Sequence, residues 1–256
     1  MVSTGTIGAP LRYPVRTIGM NAPWRWLELG YRDLKAMPGR SLAYGGAIFA
    51  ASWILTAGLW ALGLAAWIPA LAGGFLIVAP LLAVGLYGAS RDSEIEASAL
   101  PSLAREARLQ FVYLGFLLAF IYLVWLRIAM LLYALFSYGN HGPLTDFIAF
   151  ALTTPSGLAM IAVGSACGAL LAFAAFAVSV VSFPMLVEAR VDFATAVLTS
   201  IEAVRRNLLP LVLWGWLIAL LIGVGVATAF LGLIVVFPML GYASWHAYRD
   251  LVSPSP

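Results

Sequence analysis

The sequence is short of charge and almost without cysteine. Only 10% of its 256 residues are charged, against the roughly 25% of an ordinary soluble domain. With 63% hydrophobic residues and a mean hydropathy of +0.98, the chain has more apolar surface than a soluble core can take in. Cys167 is the only cysteine. That excludes intramolecular disulfides and cysteine metal clusters, and leaves Cys167 as a small helix residue. No phosphate loop, HExxH or GxSxG occurs, and no close pair of acidic residues falls inside an apolar run. Membrane proton pumps and metal enzymes ordinarily need such groups. The expectation is a protein that is not an enzyme and carries neither cofactor nor metal.

A signal peptide is also missing, since the first apolar run begins at Ser41 behind six basic residues, so the N-terminus is expected to stay unprocessed. The formal charge of +3 and pI near 9.2 do not point to nucleic acid, because the basic residues sit in short flanks of apolar runs.

What is present is apolar length. Ser41 to Ser90 runs 50 residues without Asp, Glu, Lys or Arg, Phe147 to Val187 runs 41, Asn207 to Tyr248 runs 42, and only Arg127 interrupts Leu109 to Thr145. A membrane span needs about 20 apolar residues. Only helices and closed barrels satisfy their backbone polar groups in lipid, and the strict alternation of a barrel strand is absent. The reading is an all-α, polytopic membrane protein with six spans at about 41–63, 67–89, 110–136, 157–186, 208–227 and 229–247. Residues 21–250 form one membrane domain between a flexible cytoplasmic N-terminus (1–20) and a short tail (251–256). Thirteen of the fourteen basic residues fall on one side of this layout, which the positive-inside bias assigns to the cytoplasm together with both termini.

The spans pair into three hairpins, each expected to follow a cytoplasmic amphipathic helix. In the first, Asn21 is a candidate cap and Pro23 suits the first turn. Trp24, Leu27, Tyr31 and Leu34 form an apolar stripe opposite Arg25, Glu28, Arg32 and Lys35, and Pro38-Gly39 end the helix. The third starts from an Asp192 cap. Phe193, Val197, Ile201, Val204 and Leu208 lie on one face, with Thr195, Thr199, Glu202 and Arg206 on the other, and Glu202 pairs with Arg206. A weaker version is expected between Leu100 and Phe111. Pro80-Leu81-Leu82, Pro184-Met185-Leu186 and Pro238-Met239-Leu240 recur near the exit of each second helix, a hint of a three-unit repeat.

The segments Trp26 to Asp33, Gly73 to Arg91 with Pro80 and Gly85-Leu86-Tyr87, Trp125 to Ala129, Phe183 to Leu186 and Gly241 to Arg249 together resemble an uncharacterised bacterial family. Its members are described as predicted integral membrane proteins with a domain of unknown function, and some are labelled as a cytochrome c oxidase subunit. The resemblance implies a multi-pass protein of the bacterial inner membrane and transfers no catalytic residue. A haem–copper subunit needs several intramembrane histidines, whereas this chain has only His141 and His246. An accessory or assembly role beside a respiratory complex survives that test.

Arg127 is the costliest residue, because a charge inside a span normally faces protein, cavity or partner. Ten of the eleven acidic residues are cytoplasmic in this layout, so Arg127 is expected to snorkel outward to Asp146 or to carbonyls of the 137–154 loop as an anchor. The alternative is an anion site. Pro80, Pro184 and Pro238 free the carbonyls of Leu76, Val180 and Ile234. These are either tolerated kinks or a cavity wall able to take a cation. Gly164, Gly168 and Ala172, and Gly215, Ala219, Gly223 and Ala227, are small-residue ladders for packing within the monomer, with a homodimer face as the alternative. His246 is a weak candidate for a haem ligand or pH sensor, and Trp24, Trp26, Trp214, Trp216 and Trp245 suggest an interfacial belt.

The functional expectation is therefore an accessory or assembly factor, with membrane lipids and another membrane complex as partners. The alternative is a transporter or channel for a small anion or lipid that uses Arg127 and the kinked helices.

Overall fold

The computed structural model describes residues 13–64, 67–68, 75, 79–94, 105–137, 144–189 and 191–252. Among these the regular structure is helical, apart from an isolated antiparallel bridge between Val15 and Val252. In chain order the helices are α1 (Ala22–Ala36), α2 (Pro38–Ala61), α3 (Val84–Glu94), α4 (Arg105–Ser137), α5 (Leu144–Thr153), α6 (Pro155–Ser179), α7 (Ser182–Glu188), α8 (Phe193–Arg206), α9 (Leu208–Ala227) and α10 (Leu233–Leu251).

Among the described residues, four stretches are long and apolar enough to cross a membrane: Pro38–Ala61, Leu109–Ser137, Pro155–Glu188 and Leu208–Ala227. They correspond to the first, third, fourth and fifth expected spans. In the second, 67–89, residues 69–74 and 76–78 lie outside the described residues. The sixth was expected at 229–247, but its helix, α10, starts at Leu233 and is more polar than the other four, carrying Ser244, His246, Arg249 and Asp250.

That polarity is tolerable because α10 is wrapped by protein. It packs against α1, α2, α3, α7 and α9, and Phe237, Leu240, Tyr242, Ala243, Trp245, Ala247 and Tyr248 along it are buried. Two backbones come close enough to demand glycine. A Cβ at Gly30 of α1 would meet the Met239 carbonyl and Ala243, and one at Gly45 of α2 would collide with the Ile234 carbonyl. Ile234 is the residue whose carbonyl Pro238 frees from the helix ladder. The orphaned oxygen is directed at the α2 backbone, an arrangement suited to a Cα–H···O contact between helices.

The fourth span is broken where it was expected to be continuous. α6 ends at Ser179 and α7 starts at Ser182. Ser200 of α8 accepts a hydrogen bond from Val181 N (3.2 Å) and donates one to Ala177 O (2.8 Å). Its hydroxyl thus stands between the two groups that an unbroken helix would pair, a side-chain insertion next to Pro184 that accounts for the kink.

Other local expectations need correction. Asn21 is helical (φ −84°, ψ −12°) and makes no capping bond, whereas a capping residue needs extended backbone. Asp192 has that conformation and accepts from Thr195 N at 2.8 Å. The 137–154 loop contains α5. The second surface helix is not separate, since from Arg105 the chain runs directly into the third span; residues 100–104 are outside the described set. Residues 13–20, expected to be flexible, form a strap: Arg16 N donates to Leu251 O (2.8 Å), Ile18 N to Asn207 Oδ1 (2.8 Å), and Asn207 Nδ2 to Arg16 O (2.9 Å). The expected tail begins inside the core, because Leu251 and Val252 are buried. Residues 1–12 and 253–256 lie outside the described residues.

Both surface helices are rotated relative to their hydrophobic stripes. α1 buries Ala22, Pro23, Trp26 and Gly30, while Trp24 and Tyr31 remain 57% and 45% exposed. α8 buries Ala196, Thr199, Ser200, Ala203 and Val204, while Leu198 is exposed. Apart from Trp26 and Val204, the large apolar residues of these helices are not buried, and the protein-facing positions are mostly small ones where backbones approach closely.

Candidate functional site

Two regions hold the residues with chemical potential. At the end of the bundle carrying α1, α3 and α8, polar side chains converge on α10. Asp33 Oδ2 accepts a hydrogen bond from Ser90 Oγ at 2.6 Å and lies 3.0 Å from His246 Nε2. A carboxylate only accepts, so Nε2 carries the proton. In a nucleophilic triad the imidazole stands between hydroxyl and carboxylate; here the carboxylate stands between the other two and both donate to it. The arrangement ties three helices together and does not have the order of a triad. Nearby, Asp250 receives Arg25 and the Trp26 indole N–H, Ser41 bonds Tyr242 at 3.1 Å, and Arg249 pairs with Glu188.

Trp26, Trp214 and Trp245 are fully buried at this end, with Trp26 edge-on to Trp214 at 5.5 Å. Of the five tryptophans expected at the interface, only Trp24 and Trp216 are largely exposed. The other three sit where helices cross, and composition alone does not separate an indole against protein from one against lipid.

Towards the outer edge of this end, the expected Glu202–Arg206 pair forms at 2.6 Å and holds the Glu202 carboxyl below its ordinary range. The Asp192 carboxyl is likewise lowered, first by the Thr195 backbone N–H and then by its hydroxyl.

The second region is at the opposite end. α4, α5 and α6, with Trp67, enclose a half-open crevice of about 620 Å³ lined by Trp125, Ala129, Met130, Tyr133, Phe147 and Met160 among others. Its walls are predominantly apolar and aromatic, the size and character of a small-molecule or lipid-chain site. Beside it Gly168 lets α6 approach α4 closely: a Cβ built there would lie 3.1 Å from the Trp125 ring. The first small-residue ladder therefore works inside the monomer, whereas a Cβ at Gly223 would meet nothing within 4 Å.

Arg127 does not point into this crevice. It is exposed, on the stripe of α4 that carries Phe116 (70% exposed), Phe120, Leu123 and Leu131. Among the described residues it makes no hydrogen bond or ion pair, so the expected pair with Asp146 is not formed. Asp146, exposed in the first turn of α5, has other interactions. The carboxylate reaching His246 comes from α1, 213 residues away, and no spacing signal in the sequence links the two. His141 and Leu76 lie outside the described residues. Among those described, no group of three His, Cys, Asp or Glu side chains is placed to hold a metal.

Helices of this length and hydropathy, with large apolar side chains facing outward along α2, α4, α6 and α9, define a multi-pass α-helical membrane protein. The model of a family described as "Predicted integral membrane protein (DUF2189)" matches residues 67–188, a little under half of the chain, and bears out the resemblance read from the residues. The matched part holds the α4–α6 crevice, Arg127 and Pro184; the similar segments at 26–33 and 241–249 fall outside it. No curated protein and no solved structure matches the chain.

Proposed function

We propose that the chain is a non-enzymatic protein of the bacterial inner membrane, six spans with both termini in the cytoplasm, serving as an accessory or assembly factor for another membrane complex. The observation carrying this reading is how the polar groups are spent: Asp33, Ser90, His246, Asp250 and Arg25 bond helix to helix, and Asn207 ties the 13–20 strap to the bundle. A transporter built on Arg127 would need that residue in a polar cavity, and its outward exposure weighs against it. The outward ladder Phe116, Phe120 and Leu123 leaves an apolar face open to a partner's span through van der Waals packing.

Purification from the native membrane in a gentle detergent tests this. A stoichiometric partner, lost when Phe116, Phe120 and Leu123 are replaced by alanine, is the expected result. Recovery of monomeric chain alone overturns it. The topology has its own test in a charge reporter between residues 137 and 155, expected outside the cytoplasm; a reporter found inside would reverse the orientation.

A further inference from the structure

The elbow between α1 and α2 gathers positive charge that the protein does not neutralise. Arg25 and Arg32 on α1 are matched by Asp250 and Glu28. Lys35, in the last turn of α1, and Arg40, in the first turn of α2, are exposed, and among the described residues no carboxylate pairs with either. Lys35 Nζ stands 4.4 Å from the centre of the Tyr31 ring. Ser41 holds the elbow in shape: its hydroxyl donates to Met37 O at 2.8 Å and lies 3.1 Å from the Tyr242 hydroxyl.

The level of the elbow in the membrane follows from α2. Arg40 and Trp60 are 20 residues apart on this helix, about 30 Å at 1.5 Å per residue, the thickness of a hydrocarbon layer. Trp60, 66% exposed, marks one headgroup level, as interfacial aromatic residues do, and Arg40 stands at the other. From Arg40 inward, Ala43, Ala47, Ala51 and Ile54 follow at spacings of three and four, one stripe of the helix, and all are exposed. Cβ atoms built at Gly39 and Gly46 would meet nothing within 4 Å, so this side of α2 is open. The strip is floored by alanine until Ile54, 73% exposed, rises from it.

Two cations at a headgroup level, with a bare apolar strip running from one of them into the hydrocarbon, call for an occupant with a negative head and a chain. We propose that the α1–α2 elbow is a seat for one anionic phospholipid, its phosphate on Lys35 and Arg40 and an acyl chain along Ala43, Ala47 and Ala51. Charge complementarity selects the negative head. The outward Trp24 and Tyr31, on the same stripe of α1 as Lys35, favour lipid over a partner's span, because a span on α2 would leave these rings uncovered whereas a headgroup layer receives them. The seat does not rest on the accessory role, and its readout is lipid retention, not complex recovery.

The test uses the full chain in detergent micelles titrated with phosphatidylglycerol or phosphatidylcholine of matched acyl chains, with bound lipid counted by native mass spectrometry. The wild type should retain one phosphatidylglycerol per chain at about tenfold lower lipid than it needs for phosphatidylcholine, a scale that two cations near a headgroup supply. The double variant Lys35→Gln/Arg40→Gln should lose that preference at an unchanged melting temperature. Arg205→Gln/Arg206→Gln, which removes the same charge from α8 at the same end of the bundle, should keep it. Ala47→Phe, which blocks the strip, should weaken retention of both lipids. Equal retention of the two lipids by the wild type overturns the proposal without reference to any variant. So does a preference kept in Lys35→Gln/Arg40→Gln, or one lost equally in Arg205→Gln/Arg206→Gln, which would reduce it to net charge. Displacement of phosphatidylglycerol by millimolar inorganic phosphate also overturns it, making the site one for a free anion, as does an acidic protein that copurifies with the wild type and is lost only from Lys35→Gln/Arg40→Gln.

Discussion

The layer around α10 and the layer formed by α4, α5 and α6 are built from a similar apolar alphabet by opposite rules. Around α10, backbones touch at Gly30 and Gly45, polar pairs are sheltered and three tryptophans are fully buried. Among the described side chains of α4, only Leu114, Leu118 and the terminal Ser137 are buried, and large side chains face outward along most of its length. The first layer resembles a protein interior, where interdigitation is close and a small change of volume is felt. The second resembles a surface whose solvent is lipid. The difference teaches that hydropathy alone does not rank these helices by importance to the fold, since the least apolar of the long helices, α10, is the most enclosed.

Breaking the first layer should cost most. Gly45→Leu places a branched side chain against the Ile234 backbone and should lose about 1–3 kcal/mol or more, read as a lower melting temperature in detergent or as loss of folded protein. Gly223→Leu, with open space at its Cβ, should stay within about 0.5 kcal/mol. Equal effects at the two glycines would erase the distinction between the layers.

Ser200→Ala leaves Val181 N and Ala177 O without the hydroxyl that joins them, at a cost of about 1–3 kcal/mol for a buried group left unsatisfied. Hydrogen exchange at Val181 should rise with it; an unchanged rate would show that the kink needs no insertion. Asp192→Ala removes a cap and should cost about 1 kcal/mol. Because the folded carboxyl is lowered from its ordinary 3.8, the cap contributes fully above that value. Its contribution fades as pH falls through the lowered one. The wild type should therefore lose its advantage over Asp192→Ala in acid, and a difference constant down to pH 2 would refute the assignment.

Arg127→Gln should change stability least, within about 0.5 kcal/mol, since no described protein group depends on it. A large loss of melting temperature would make Arg127 part of the scaffold and blur the contrast between layers.

Much of this was legible in the residues. The charge-free runs announced membrane helices, Asp192 announced a cap, and Glu202 and Arg206 announced their pair. What failed were inferences about which way a side chain looks. Trp24 and Trp26 are two residues apart in a headgroup-flavoured segment, yet one is exposed and the other fully buried against Trp214. The stripe on α1 was visible, but whether lipid or protein would cover it was not. An apolar side chain gains by leaving water in either setting, so an amphipathic pattern does not say which of the two will receive it.

By itself the sequence determined that the chain is helical, multi-pass and poor in reactive groups, because a hydrocarbon layer imposes length, hydropathy and internal backbone pairing on any segment that crosses it. Only the tertiary structure decided that Asp33 would meet Ser90 and His246, that the carbonyl freed by Pro238 would face Gly45, and that a crevice would open between α4, α5 and α6. These depend on how distant helices cross, and the crossings are set by small residues whose presence in a sequence names no partner.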